Sequence, residues 1–368
     1  MSSEERLEKL RRRIRNLDAA LLGLVAERTE LAREVGAAKR ELGVPLRDYE
    51  VEKRVLERAS ETATSLGLDV ELARAVLGQL IEEACRVQEL DRVAVAAGAA
   101  ESVLVVGGAG RMGGWLRRFL ESQGHRVRIH DPAARADDAA AVGSLERGLE
   151  GSTLAFVATP LAATGRSILE IAESGWGGVT CDVAGLKEHL RPALERARSL
   201  GARVTSIHPM FGPGARTLAD RVVVVCDCGD AGATARVTAL FRETAARLVP
   251  LSLERHDRIA GYVLGLSHLV SLLFARTLER SGLALEEIAG VGSTTFRAQM
   301  ATAERVIEES PELYFDIQRL NRATPRVLTE LERSLGDWRG WIAAEDGAEF
   351  ARAMLSARAW RRGEGAAG

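Results

Sequence analysis

The pattern of hydrophobic and polar residues changes twice along the chain. Over residues 1–92 the apolar positions recur with a 3.6-residue period and few breakers, which predicts helices. Over residues 102–252 short β-rich runs take over: SVLVVG, RVRIHD, LAFVATP, GVTCDVA, RVTSIHP, VVVVCD and RLVPLS. Helical or glycine-rich stretches separate several of them, and such alternation predicts a mainly parallel, doubly wound sheet. The helical pattern returns from 253 and runs to about residue 361, before a tail, RRGEGAAG, expected to fray. Residues 93–101, VAVAAGAAE, read as a linker or as a helix end running into a loop. The expected architecture is multidomain: all-α over 1–92, α/β over 102–252 and all-α over 253–366.

The first region places charge where leucine is expected. Drawn as one helix, residues 5–42 put Leu10, Ile14, Leu17, Leu21, Leu24, Leu31, Val35 and Leu42 on one stripe, with Glu27, Glu30 and Glu34 opposite. Arg28 and Lys39 fall near the centre of that stripe, about 16 Å apart along the axis. Arg11 lies at its edge. A single cation there would be read as a side chain snorkelling out of a helix interface. Two centred on one stripe need partners, which an anionic ligand would supply. In the following helices Glu52 shares a face with Val55, Leu56 and Ala59, and Gln88 shares one with Leu77, Leu80, Ile81 and Ala84. Three cations, one or two acids and a glutamine directed into a helical core suit a dicarboxylate.

The second region opens on a nucleotide fingerprint. A short β run leads into Gly108-x-Gly110-x-x-Gly113, with Arg111 and Met112 between the glycines, then a helix and a second strand. This context marks a Rossmann domain. Gly108 is expected to permit the tight turn, Gly110 to admit the pyrophosphate, and Gly113 to let helix and strand pack closely. Asp131, 23 residues after Gly108, would accept hydrogen bonds from the ribose hydroxyls and repel a 2′-phosphate, favouring NAD. Thr159 and Pro160 are expected to end the fourth strand, near the nicotinamide. His208, in SIHPMFGP, follows an apolar strand and precedes prolines and glycine. That loop lies where ligands bind in open α/β sheets.

Bulk numbers narrow the classes. With 368 residues and 46% hydrophobic content the chain can build more than one core. A net charge of −2 gives no reason to expect nucleic acid. Cys85, Cys181, Cys226 and Cys228 offer no CxxC or Cys/His set, so no metal site is expected. A charged N-terminus without a signal-like segment and no uncharged apolar run of membrane length point to the cytoplasm.

Two resemblances sharpen this reading. The stretch LxxLRxxIxxLDxxLLxLxAERxELAxEVGxAK, followed by PxRD and a terminal glutamine, resembles the AroQ-type, all-helical chorismate mutases over about residues 5–92. The resemblance implies that Arg11 serves the partner's active site in a helix-swapped homodimer, and that Arg11 and Arg28 bind the substrate carboxylates. Lys39 and Gln88 would hydrogen-bond the ether oxygen of chorismate, while Glu52 and Asp48 position the ring hydroxyl and nearby cations. Val51 and Ala84 depart from the family's arginine and serine. From about 102 to 360, GGxGxMG, DVAGLK, HPMFGP and FRAQM…PELYFDI resemble the prephenate dehydrogenases. That resemblance implies oxidative decarboxylation of prephenate. His208 would take the ring hydroxyl proton and Arg297 would bind the departing carboxylate. Lys187 and His268 would lie in the pocket, with His268 also near any tyrosine acting as inhibitor. His256 and Asp257 would be structural or at the pocket edge. Gly185 replaces a family serine. Together the regions are similar to bifunctional mutase–dehydrogenases of tyrosine biosynthesis. Two alternatives stay open: a preference for arogenate, or a mutase region kept only for dimerisation or regulation.

Overall fold

The computed structural model describes residues 2–96 and 100–363. The chain forms two compact units, Met1–Gly185 with Leu190–Ser252, and Leu186–His189 with Leu253–Gly368.

The first unit begins with three helices. α1 (Ser3–Glu41) starts at a capping box: the Ser2 hydroxyl accepts the Glu5 N–H at 3.1 Å, and the Glu5 carboxylate accepts the Ser2 N–H at 2.7 Å. α2 (Tyr49–Leu66) is capped by the Asp48 carboxylate and stops at Gly67, whose φ of 66° suits glycine. α3 (Val70–Ala96) packs against both. It carries the first residues of the 93–101 stretch as helix, while 97–99 lie outside the described residues. The leucine stripe of α1 is largely uncovered in the single chain, with Leu17 58%, Leu21 60% and Leu24 63% exposed.

The sheet follows: β1 (Ser102–Val106), α4 (Arg111–Ser122), β2 (Arg126–His130), α5 (Leu145–Leu149), β3 (Leu154–Val157), α6 (Leu161–Glu173), β4 (Val179–Asp182), α7 (Arg191–Ser199), β5 (Arg203–Pro209), β6 (Val222–Cys226), α8 (Ala231–Ala239) and β7 (Arg247–Pro250). Its order is β2-β1-β3-β4-β5-β6-β7. All neighbours are parallel except β5 and β6, which run antiparallel with His208 opposite Val224. The segment between those two strands has no crossover helix, and without one the chain returns antiparallel. Strands such as Val103–Val106 and Leu154–Val157 are buried throughout, as helices on both faces require.

One expectation is corrected here: Thr159 and Pro160 follow the third strand, not the fourth. Between His130 and Leu154 the chain makes turns, an isolated bridge from Ile129 to Ala141, and only the short α5. Asp131 and Asp138 hold those turns by accepting the N–H groups of Ala133 and Ala140 at 2.8 and 2.9 Å.

The helices and the sheet are joined within this unit. The buried Glu89 carboxylate of α3 accepts three hydrogen bonds, from the Thr217 hydroxyl (2.6 Å) and the N–H groups of Leu218 and Ala245 (2.8 Å each). Arg92 pairs with Glu243 at 2.8 Å.

In the second unit α9 (Leu253–Ala260), a π-helical turn (Gly261–Leu266) and α10 (Ser267–Glu279) form one continuous helix. α11 (Leu285–Gly290), α12 (Thr294–Ile307), α13 (Pro311–Leu320), α14 (Thr324–Ala343) and α15 (Gly347–Arg361) complete it. Leu253–Glu279 is long and apolar enough, by length and composition, to cross a bilayer. Charged residues at Arg258 and Arg276 bound its apolar stretch, so no uncharged window of 18 residues lies within it. The helix is amphipathic in use: it packs on α12, α13 and α14 and leaves Tyr262, Val263, Val270 and Leu273 exposed.

Candidate active sites

The helical region forms a cavity of about 280 Å³. Arg28 and Lys39 from α1, Asp48 and Glu52 around the start of α2, and Gln88 from α3 all line it. Local sequence explains each placement. The Arg28 guanidinium donates to the Leu80 carbonyl at 2.7 Å, and the Lys39 ammonium donates to the Leu46 carbonyl at 2.6 Å. Both are thus hydrogen-bonded without being neutralised. The Gln88 side chain donates to the Ala32 carbonyl at 2.8 Å. It fits because α1 has Gly36 opposite: a Cβ there would lie 2.7 Å from the Gln88 Cγ. Val51, Ala84 and Cys85 form the apolar part of the wall. Burial pushes the Cys85 thiol up to about 11. Arg11 does not line the cavity and is exposed on α1.

Sequence reasoning gave no role to Arg47, although PxRD contains it. Its guanidinium clasps the Glu52 carboxylate at 2.8 and 2.7 Å. Burial opposes the Arg47 charge, but the Glu52 hydrogen bond and the charges of Glu52 and Asp220 hold the guanidinium above its ordinary range. Its loop position, outside any helical period, hid it.

At the nucleotide fingerprint the turn glycine is Gly107 rather than Gly108. Gly107 has φ 83°, and a Cβ on it would lie 2.7 Å from the Ala158 carbonyl oxygen. Gly108 is instead needed because Ile129 packs on it, 2.4 Å from a would-be Cβ. At Gly113 a Cβ would meet the Gly107 carbonyl oxygen at 2.1 Å, the close approach of helix to strand. Gly110 caps α4 without a side chain, and Arg111 and Met112 form its first turn. The Asp131 carboxylate accepts the Ala109 N–H at 3.1 Å, which sets it beside the glycine turn. A backbone cradle that a Cβ would fill, a helix N-terminus and an acid after the second strand fit a dinucleotide diphosphate and ribose. Thr159 and Pro160 enter α6, the Thr159 carbonyl accepting from the Thr164 hydroxyl at 3.3 Å.

His208 stands near the C-terminal end of β5, only 8% exposed. A Cβ on Gly185 would lie 3.5 Å from its Nε2, so a side chain at 185 would face the imidazole directly. The other expected dehydrogenase residues belong to the second unit. Lys187 is fully buried, and the N–H groups of Lys187 and Glu188 donate to the Asp257 carboxylate at 2.7 and 2.8 Å. The buried His256 Nδ1 lies 2.7 Å from the same carboxylate, and Asn321 donates to the Asp257 carbonyl at 3.0 Å. His256 and Asp257 therefore fasten the 186–189 segment to the helices. His268 packs edge-on to the Tyr314 ring, and burial depresses its pKa. Arg297, on the first turn of α12, is exposed and donates to the Gly292 carbonyl at 3.1 Å.

A cation-lined helical pocket, fused to a nucleotide-binding sheet bearing a histidine, defines an isomerase joined to a dehydrogenase. The matches to known families agree. Chorismate mutase type II matches residues 10–89, the prephenate dehydrogenase nucleotide-binding domain matches 123–250, and the prephenate dehydrogenase dimerization domain matches 252–356. The T-protein of Enterobacter agglomerans is 27% identical over 84% of this chain and 81% of its own length. That of Haemophilus influenzae is 25% identical over 98% and 93%. The chorismate mutase of Methanocaldococcus jannaschii is 33% identical over 21% of this chain and 79% of its own. Prephenate dehydrogenase from A. aeolicus, solved with hydroxyphenyl propionate and NAD+, shares the fold at TM-score 0.60 and 18% identity, covering 72% of this chain and 99% of that one. The chain belongs to the bifunctional chorismate mutase/prephenate dehydrogenases of tyrosine biosynthesis, with NAD as cofactor.

Proposed function

We propose that the α1–α3 cavity is the mutase site and that it works by charge and shape alone. The observation that carries this is the convergence of Arg28, Lys39, Glu52 and Gln88 on one cavity from three helices. Arg28 binds a carboxylate of chorismate. Lys39 and Gln88 donate to the ether oxygen, where negative charge grows as the C–O bond breaks. Asp48 and Glu52 position the ring hydroxyl and the cations. Arg11 serves the cavity of a second copy: the uncovered stripe of α1, about 58 Å of helix, supports a homodimer paired along it.

In the dehydrogenase, bound NAD supplies the hydride acceptor, and Gly108, Gly110, Arg111, Met112, Gly113, Asp131, Thr159 and Pro160 would hold it. His208 accepts the proton of the ring hydroxyl as hydride leaves the same carbon. Arg297 binds the ring carboxylate that departs as carbon dioxide, with Lys187 and His268 in the pocket wall. The preferred substrate is prephenate, because the fused mutase makes it. The three-part division at 92, 102 and 252, a cytoplasmic setting and inhibition by tyrosine near His268 complete the reading. Four free, buried cysteines accord with a reducing compartment.

One coupled assay tests this: chorismate plus NAD, and prephenate plus NAD, each followed by NADH, with arogenate and NADP in parallel. NADH from both chorismate and prephenate is expected. NADH from prephenate alone would reduce the helical region to a structural module. A faster reaction with arogenate would overturn the substrate assignment.

A further inference from the structure

The seam between the helices and the sheet carries a charge chain that the roles above leave unused. Asp220 closes the 210–221 segment, which leaves β5 just beyond His208 and enters β6 at Val222. Its φ is 58°, and among the described residues only Asp220 and Glu345 are non-glycine residues with positive φ. Aspartate tolerates this region better than most residues, yet the backbone is strained. The conformation places a carboxylate: Asp220 accepts hydrogen bonds from Arg47 Nη1 and from the Tyr49 hydroxyl, the latter at 2.7 Å. The other edge of the same guanidinium holds Glu52. Arg47 also lies over the Tyr49 ring, 4.9 Å from its centroid. The side chains of Arg47 and Glu52 are only 16% and 17% exposed, so water screens the pair weakly.

We propose that Asp220, a residue of the sheet domain, is a positioning residue of the mutase site: it fixes Arg47, and Arg47 fixes the Glu52 carboxylate in the cavity wall. This rests on the reading of the α1–α3 cavity as the mutase site. Val51 supplies no cation to the wall, and among the described residues the Glu52 carboxylate meets, besides Arg47, only the weak donor Cys85 Sγ at 3.9 Å, so its orientation rests chiefly on Arg47. A planar guanidinium serving two carboxylates transmits the loss of one to the other. Docking of the two domains has its own fastening at Glu89 and Arg92, which Asp220 does not touch.

The test uses the full-length chain and measures both activities on each preparation. Asp220→Asn keeps the side-chain shape and the left-handed backbone. Asp220→Gly suits that backbone better still and removes the carboxylate, so a folding failure does not confound both. Each is expected to lower mutase kcat about tenfold, with KM for chorismate within about twofold and dehydrogenase kinetics unchanged. Combining Asp220→Asn with Arg47→Ala is expected to cost no more than Arg47→Ala alone, since both act through one link. Wild-type mutase kcat in both Asp220 variants would overturn the proposal. So would additive losses in the double variant, or a parallel fall of both activities with melting temperature, which would mark mere docking. A wild-type chain without mutase turnover would instead overturn the cavity assignment beneath it.

Discussion

In the helical cavity Arg28 and Lys39 lean on backbone carbonyls, whereas at the end of the sheet His208 is almost buried and faces a glycine. The carbonyls orient the two cations and leave their charge uncompensated, which is what a dianion undergoing a charge-separating rearrangement requires. Glu52, by contrast, is already neutralised by Arg47. The dehydrogenase groups are divided differently: His208 and the nucleotide fingerprint lie in one compact unit, Lys187, His268 and Arg297 in the other. The residues proposed for oxidation are thus shared between the two units, whereas those proposed for rearrangement in this chain lie in one.

The comparison breaks if either site proves to depend on the other's groups. His208→Asn should lower dehydrogenase kcat by about 10²–10⁴, the usual worth of a general base, with mutase turnover intact. Arg28→Ala should lower mutase kcat/KM by about 10²–10³ with dehydrogenase turnover intact. A loss of both activities in either variant would dissolve the distinction. Next comes the uncovered stripe. Leu17→Glu with Leu21→Glu should withdraw Arg11 from the neighbouring cavity and cost mutase activity at least about tenfold, while the dehydrogenase persists. Unchanged mutase kinetics in that variant would make each cavity self-sufficient. A smaller effect is expected from Gly185→Ser. Its Cβ would sit at ordinary contact distance from His208, so the chain should fold, and dehydrogenase kcat/KM should change about two- to fivefold. No change would mean that water already fills the role.

The smallest effect is pH-dependent. The Cys85 thiol, pushed up from 9.0 to about 11 by burial, stabilises the fold fully below pH 9.0 and loses that contribution as pH rises through about 11. Melting temperature should therefore decline less steeply over that range in Cys85→Ala than in the parent chain. Equal slopes would show the thiol to be free of its apolar surroundings.

Much of this was legible because helical periodicity exposes misplaced charge. Arg28 and Lys39 stood out against a leucine stripe, and Gln88 against an apolar face. Arg47 did not, since a loop has no period to violate and its partner Asp220 lies 173 residues away in sequence. The glycine motif identified the nucleotide turn but misassigned its left-handed residue by one position. Only backbone geometry separates Gly107, which must turn, from Gly108, which must stay small under Ile129. The strand before Thr159 was numbered fourth although it is the third β run of the sequence; between β2 and β3 the PAARADDAAA stretch forms turns held by carboxylates. The helical pattern from 253 was legible, and Leu253–Glu279 is continuous helix.

The exposed stripe of α1 has a counterpart in the second unit, where Phe315, Leu335, Ile342 and Trp360 are also uncovered. A molecule whose two exposed faces each paired with a copy of themselves would have a valency of two. If both faces meet the same neighbour, contact at one raises the effective concentration at the other, and the pair closes with an avidity neither face has alone. If they meet different neighbours, the contacts propagate into open chains. Closure therefore falls to the geometry of the whole subunit, and a single weakened face in a closed pair would loosen the assembly without dissolving it.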